Sequence, residues 1–232
     1  MSTPRFHIWS SVGKKLLTGL TGLALMGFIV THLLGNLNLF VGSEAFNGYT
    51  ETLHQLGGLL VVAEFGLAAL FLLHAISAIQ VWRDKKKARS IQNSVVASKG
   101  APSKQTVYSR TMIVTGSVLL AFVVLHVAQF RFGIFGGLDY TTTIDGKEVR
   151  DLYRLVAETF KNPLWVGGYV AVMVLLGSHL RHGFWSAFQS VGLLDPRLRP
   201  LAYSAGAVFA VVMAVGFLVM PIYLLLFATV TS

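Results

Sequence analysis

The chain has 232 residues, 54% of them apolar and only 12% charged, with a net charge of +9 and no cysteine. That balance places it among integral membrane proteins rather than soluble domains, since charged residues are about half as frequent as usual. Without cysteine, thiolate-held iron–sulfur clusters, thiolate zinc sites and haem attached through C-x-x-C-H are excluded. The positive charge does not point to nucleic acid, because it sits in short segments beside apolar runs, where membrane topology accounts for it.

The N-terminal residues lack the short apolar run and small-residue cleavage site of a signal peptide, so the first apolar segment is expected to be a retained span. That span covers residues 15–41 and follows Arg5, Lys14 and Lys15, which by the positive-inside rule put the N-terminus in the cytoplasm. An outer loop, 42–57, holds Glu44, Glu51 and His54 but no Lys or Arg. The second span, 58–82, returns to a basic segment with Arg83, Lys85, Lys86, Lys87, Arg89, Lys99, Lys104 and Arg110. A third span, 111–130, leads to an outer segment. There Val149, Leu152, Tyr153, Val156 and Phe160 recur at helical spacing and predict a short amphipathic helix on the outer membrane surface. Pro163 suits the first turn of a fourth span ending near residue 188. The fifth, 201–229, contains Pro221, which is expected to kink it. Of the nineteen Lys and Arg, only Arg131, Lys147, Arg150, Arg154 and Lys161 then fall outside. The expected fold is therefore all-α, one domain over 1–232, a bundle of five transmembrane helices with the N-terminus cytoplasmic and the C-terminus outside.

Two spans share the pattern T-G-x-x-L-x-x-F-x-x-x-H, first from Thr21 to His32 and again from Thr115 to His126. Eleven residues bring a helix back to within roughly 20° of one face, so each Thr and His lie on one stripe. Two further spans carry His74 and His179. An imidazole deep in a membrane span is costly enough to mark function. At about 1.5 Å per residue, His32 and His126 lie about 24–26 Å from the inner boundary and His74 and His179 about 13 Å from it. Any one of them alone could be a packed polar residue hydrogen-bonded to a neighbouring helix. Agreement in depth instead predicts two pairs, His32 with His126 and His74 with His179, suited to two non-covalent, bis-histidine haems stacked across the bilayer. A tetrahedral zinc site would need all four at one depth. His182, one turn nearer the cytoplasm than His179, is a second candidate ligand or a partner for a propionate or quinone. Arg83, Arg110 and Arg181 are candidates to neutralise inner propionates. Gly22 and Gly116 at inner depth, and Gly66, Gly167 and Gly168 at outer depth, are expected to make room for porphyrin, with close helix packing as the other explanation.

These residues carry a resemblance. Ser10-Ser-Val-Gly-Lys-Lys15, the T-G…H-L-x-G-N run around His32, Glu44-Ala-Phe-Asn-x-Tyr49, His74-Ala, the second T-G…H, and His179-Leu-x-His-Gly-x-Trp-Ser-Ala-Phe-Gln-x-x-Gly192 together span nearly the whole chain. The chain resembles the single-polypeptide, five-helix, di-haem cytochrome b subunit of succinate dehydrogenase and fumarate reductase. The resemblance implies axial ligands at His32, His74, His126 and His179, paired as depth pairs them. It also implies a prokaryotic cytoplasmic-membrane anchor, often found in pairs. Such an anchor carries electrons between a quinone, menaquinone by resemblance, and flavoprotein and iron–sulfur subunits docked on the cytoplasmic side. Some members have an acidic residue two positions before the fourth-helix histidine, where this chain has Gly177. The competing expectations are a di-haem anchor for another dehydrogenase and a cofactor-free proton-coupled transporter. A quinone site is expected near the outer haem, beside loop 42–57. Glu51, His54 and the deeper Glu64 would carry its protons, because a histidine or a partly buried carboxylate can titrate near neutrality.

Overall fold

The computed structural model describes residues 9–88 and 107–228, so Arg5, Arg89, Lys99 and Lys104 of the predicted basic segments lie outside the described residues. Five helices are long and apolar enough to cross a membrane: α1 (Ser11–Asn36, continued by a 3-10 turn to Phe40), α3 (Gly58–Lys87), α4 (Val107–Phe130), α6 (Pro163–Ser190) and α7 (Arg199–Phe227). Their starts are written locally. Ser10 accepts from the Gly13 amide at 3.1 Å to cap α1, and Asn162 accepts from Leu164 at 2.9 Å to cap α6. Pro163 occupies the first turn of α6, where its missing amide costs nothing. Helix α7 runs unbroken through Pro221, which is buried.

Contacts between helix ends show which ends lie together. Lys14 at the start of α1 pairs with Asp84 near the end of α3. Gly19 faces Ser190 and Ala187 at the end of α6. The Arg181 guanidinium lies 4.9 Å from the ring of Tyr108 at the start of α4, and Gly206 of α7 faces Phe184 of α6. One end of the bundle thus gathers Lys14, Arg83, Lys85, Lys86, Lys87, Arg110, Arg181, Arg197 and Arg199. At the opposite end Glu64 near the start of α3 meets Arg131 just beyond α4, at 2.8 and 3.2 Å.

That opposite end differs from the expected loops. Residues 43–54 form a helix, α2 (Ser43–His54), and residues 141–150 form a hairpin of β1 (Thr141–Ile144) and β2 (Lys147–Arg150). The hairpin turn is Asp145-Gly146, both with positive φ, the combination a two-residue turn needs to match strand twist. The predicted short helix exists as α5 (Leu152–Lys161), but Val149 belongs to β2. Nor is its apolar face laid on a membrane surface. Val156, Ala157 and Phe160 are buried with Phe46, Tyr169 and Leu224 in the protein's own core, because α2 and α7 cover that stripe.

Two polar devices lock this cap to the bundle. Arg150 donates from Nη2 to Phe130 O at 2.9 Å, and Lys161 donates to Leu225 O at 3.1 Å, each satisfying a last-turn carbonyl that its own helix leaves unpaired. Asn47 of α2, 1% exposed, donates to Asp151 Oδ1 at 2.7 Å and accepts from the Tyr153 amide at 2.9 Å, gripping the first turn of α5. Replacing Asn47 with Leu keeps the branched shape but removes both bonds and leaves the Tyr153 amide without its acceptor, at a cost of about 1–3 kcal/mol, while Asp151 Oδ1 keeps the Arg154 amide. Amide exchange in α5 should accelerate accordingly. Unchanged exchange from Tyr153 to Ala157 would show that the clamp carries no stability.

Candidate functional site

The two copies of the repeated pattern do the same work. On α1 the Thr21 hydroxyl donates to Leu17 O at 2.7 Å, which leaves its lone pairs for the neighbouring helix. His74 Nδ1 of α3 stands 3.2 Å from that oxygen and 3.2 Å from Thr18 O. A carbonyl only accepts, so the network assigns the proton to Nδ1 and leaves the Nε2 lone pair free. Gly22 makes the approach possible, since a Cβ there would stand 3.2 Å from His74 Cε1. On α4 the Thr115 hydroxyl has Thr111 O as acceptor at 3.1 Å and lies 3.1 Å from His179 Nδ1 of α6. A Cβ on Gly116 would meet His179 Cε1 at 3.4 Å. Each Thr-Gly pair is therefore the seat of the next spanning helix's histidine.

At the far end of the same two patterns, His32 and His126 meet with ring centres 5.9 Å apart and planes at 89°. The Phe of each pattern, four residues earlier, lies beside its own histidine: Phe28 at 5.4 Å from His32 and Phe122 at 5.6 Å from His126. Phe217 of α7 flanks His32 from another side at 5.8 Å. His126 Nδ1 lies 3.4 Å from the Tyr169 hydroxyl, which donates to Gln129 Oε1 at 2.8 Å and so accepts from the imidazole. His32 differs: its Nε2 is 3.4 Å from Asn36 Nδ2, a group already bonded to His32 O at 2.8 Å.

The donor set fits a metal held by two imidazoles. Two rings sharing one ion at about 2 Å each have centres roughly 6 Å apart. Donating the second ring nitrogen to a carbonyl or hydroxyl is the usual way a ligating histidine is oriented. Among the described residues no cluster of three or more His, Cys, Asp or Glu exists. Each pair would bring two imidazole nitrogens to an iron whose other donors a porphyrin would supply.

The other expected site residues lie as follows. Gly22 and Gly116 lie against the imidazoles of His74 and His179. Gly66, Gly167 and Gly168 have no neighbour within 4 Å of a built Cβ, so helix packing is not what they serve. Gly177 lies 3.0 Å from Ala214 in the same sense, and an acidic side chain there would have to displace α7. Glu64 is not an unpaired buried acid: it is half-exposed and ion-paired with Arg131. Glu51 accepts from Gln55 at 3.3 Å, and the exposed His54 is bonded to its own helix at Thr50 O, 2.9 Å away. Arg83 and Arg110 are exposed, and Arg181 stacks over Tyr108. His182 packs edge-on to Trp185 at 5.0 Å with its Nδ1 buried and unpartnered. Tyr169 and Gln129 carry no sequence signal of their own, whereas the two threonines were visible in the repeat but not their task. No family model, curated protein or solved structure matches the chain, so its function must be argued from these residues.

The two seats differ in one respect: Thr18 O gives His74 a second acceptor. A lost hydrogen bond of about 1 kcal/mol shifts a tautomer ratio roughly fivefold. Thr115→Val should therefore raise the Nε2–H form of His179 about fivefold, and Thr21→Val should change His74 much less. Imidazole nitrogen NMR on the unloaded protein reads both, and equal shifts would refute the unequal seats.

Proposed function

We propose that the chain is the membrane-spanning, electron-carrying anchor of a succinate dehydrogenase or fumarate reductase, with His32 and His126 on one b haem and His74 and His179 on the other. The observation that carries this is the repeated seat: α3 and α6 each present a histidine with Nδ1 engaged by a threonine of the preceding span, and His32 and His126 meet at metal-sharing distance. The haems, when bound, supply one-electron carriers at two levels of the bundle.

The chain's own residues do the rest. Thr21, Thr18 and Thr115 hold the inner imidazoles in the ligating tautomer, Tyr169 holds His126, and Phe28, Phe122 and Phe217 keep water from the outer pair. Exposed Val61, Val62, Phe65, Leu72 and Ile76 on α3 support a lipid-facing helix, because leaving such side chains in water forfeits about 25 cal/mol per Å². The basic end of the bundle supports a cytoplasmic orientation for that end. Exposed Lys85, Lys86 and Lys87 there suit a platform for the flavoprotein and iron–sulfur subunits, which would hold the dicarboxylate site, while a quinone exchanges electrons at the opposite, outer level.

The dithionite-reduced spectrum of purified protein should show two b-type components. Replacing His32 or His126 by Leu should remove one of them, and replacing His74 or His179 the other. Loss of the same component in His32 and His74 variants would show the pairing to be wrong, and a folded but colourless protein would end the proposal. Reversing Lys85, Lys86 and Lys87 to Glu should release the soluble subunits at lower salt, since complementary charge sets encounter and register. Unchanged retention across a salt series would remove the platform from that cluster.

A further inference from the structure

The buried amide of Gln129 is only half used. The residue is 2% exposed, and its Oε1 accepts from Tyr169. No hydrogen bond from its Nε2 is found among the described residues, and the nitrogen is not one of the buried unpartnered atoms, so it opens on the space beside it. The side chain lines a half-open cavity of about 230 Å³ between the end of α4, the loop leading to β1, α5 and the start of α6. Phe135 and Trp165, with ring centres 5.4 Å apart, form an aromatic wall, and Tyr140 adds a third ring. On the rim, Glu158 accepts from Tyr140 at 2.5 Å and from Arg154 at 2.8 Å. The Tyr140 hydrogen bond and then the Arg154 guanidinium hold its carboxyl below the usual range. It stays ionised near neutrality and offers no proton to a ligand.

The approach to this cavity is apolar. Phe132, Ile134, Phe135 and Leu138 are each more than half exposed on one loop. That loop is folded back by Gly133, Gly136 and Gly137, all at positive φ. A contiguous exposed apolar patch beside a cavity marks a binding surface, and one at the end of a spanning helix faces lipid rather than water. An amide N–H that opens on a cavity gives its hydrogen bond to water or to a ligand oxygen seated there. Aromatic walls favour a flat ring, and the volume is below the roughly 300–1,000 Å³ of a drug-sized site. A single ring system fits, with any tail left outside along Phe132 and Ile134.

We propose that this cavity binds the ring of a quinone or quinol, with Gln129 Nε2 donating to one ring oxygen. The class of ligand rests on the function proposed above, which calls for a lipid-soluble electron carrier at the outer level. Gln129 then joins the ring to the outer pair through two hydrogen-bonded contacts, Gln129 to Tyr169 and Tyr169 to His126. The site lies across α4 and α6, not beside Glu51, His54 and Glu64.

The test uses the full chain in lipid nanodiscs and a photoreactive azido-naphthoquinone, with labelled peptides mapped by mass spectrometry and the reduced spectrum recorded on the same sample. Label is expected within residues 129–165. Gln129→Leu, similar in volume but without a donor, should cut labelling about tenfold, the equivalent of 1.4 kcal/mol. Thr159→Trp, which leaves Gln129 intact and fills the cavity from α5, should abolish it. Label confined to residues 42–64, or undiminished labelling in both variants, overturns the site. Label in the cavity of a protein with no b-type spectrum would keep the site and sink the haem-bearing function. Two b-type components with label elsewhere would do the reverse.

Discussion

The hydrogen bond from a histidine on one helix to a threonine on the helix beside it is the constraint on which the rest of this bundle depends. An imidazole N–H taken out of water and left unpaired costs more than an ordinary hydrogen bond returns. A threonine hydroxyl in a helix can give its proton to its own backbone and still accept, as Thr21 and Thr115 both do. The bond is short, so the helices must approach closely, and the residue after each threonine must lack a side chain. Gly22 and Gly116 meet that demand. Once both seats are filled, the register of α3 on α1 and of α6 on α4 is set. The histidines eleven residues further along α1 and α4 then arrive at one common level.

Charge divides the two ends of the bundle, and polar clamps build only one of them. At the basic end cations crowd together with few carboxylates among them, apart from Asp84 and Asp195. Such an end is open to a partner of opposite sign. The other end closes on itself instead. Asn47 grips the start of α5, Arg150 caps α4, and Lys161 caps α7, so the hairpin and α5 sit as a lid over the outer histidines. The motif Glu44 to Tyr49 belongs to this lid. Phe46 and Asn47 are its buried contacts, and Tyr49 covers Gly35, where a Cβ would stand 2.6 Å from the Tyr49 hydroxyl oxygen.

The spans were legible in the chain because twenty apolar residues in a row leave few alternatives, and the histidine levels followed from helical rise alone. The repeat was legible as spacing but not as mechanism. Nothing in T-G…H says that its Thr and Gly serve a histidine on a different helix. Two features of the cap are hidden in the sequence. Segment 42–57 reads as a loop because it is polar, although residues 43–54 are helical where Asn47 docks on α5 and Tyr49 on α1. The hairpin is masked because Val149 falls in phase with the helix that follows it, while Thr141 to Ile144 and the Asp145-Gly146 turn carry the better signal. Tyr169 and Gln129 could not be found from sequence, since a tyrosine and a glutamine near helix ends have many ordinary uses.

The two levels of histidines are held by different means, and this bears on what each can do. The inner rings bond to groups within the helix stack, a threonine hydroxyl or a backbone carbonyl, both anchored by the helices themselves. The outer ring of His126 bonds to a tyrosine, which depends on Gln129, which opens on a cavity at the edge of the lid. Anything that accepts a hydrogen bond from that amide alters the polarisation of the chain leading to His126, because linked hydrogen bonds strengthen one another in a low-dielectric interior. The inner level is therefore insulated and constant, and the outer level is exposed to whatever occupies the cavity. For the carrier proposed above, exchanging with a mobile partner on one side and a fixed one on the other, that asymmetry would arise from which residue faces each imidazole.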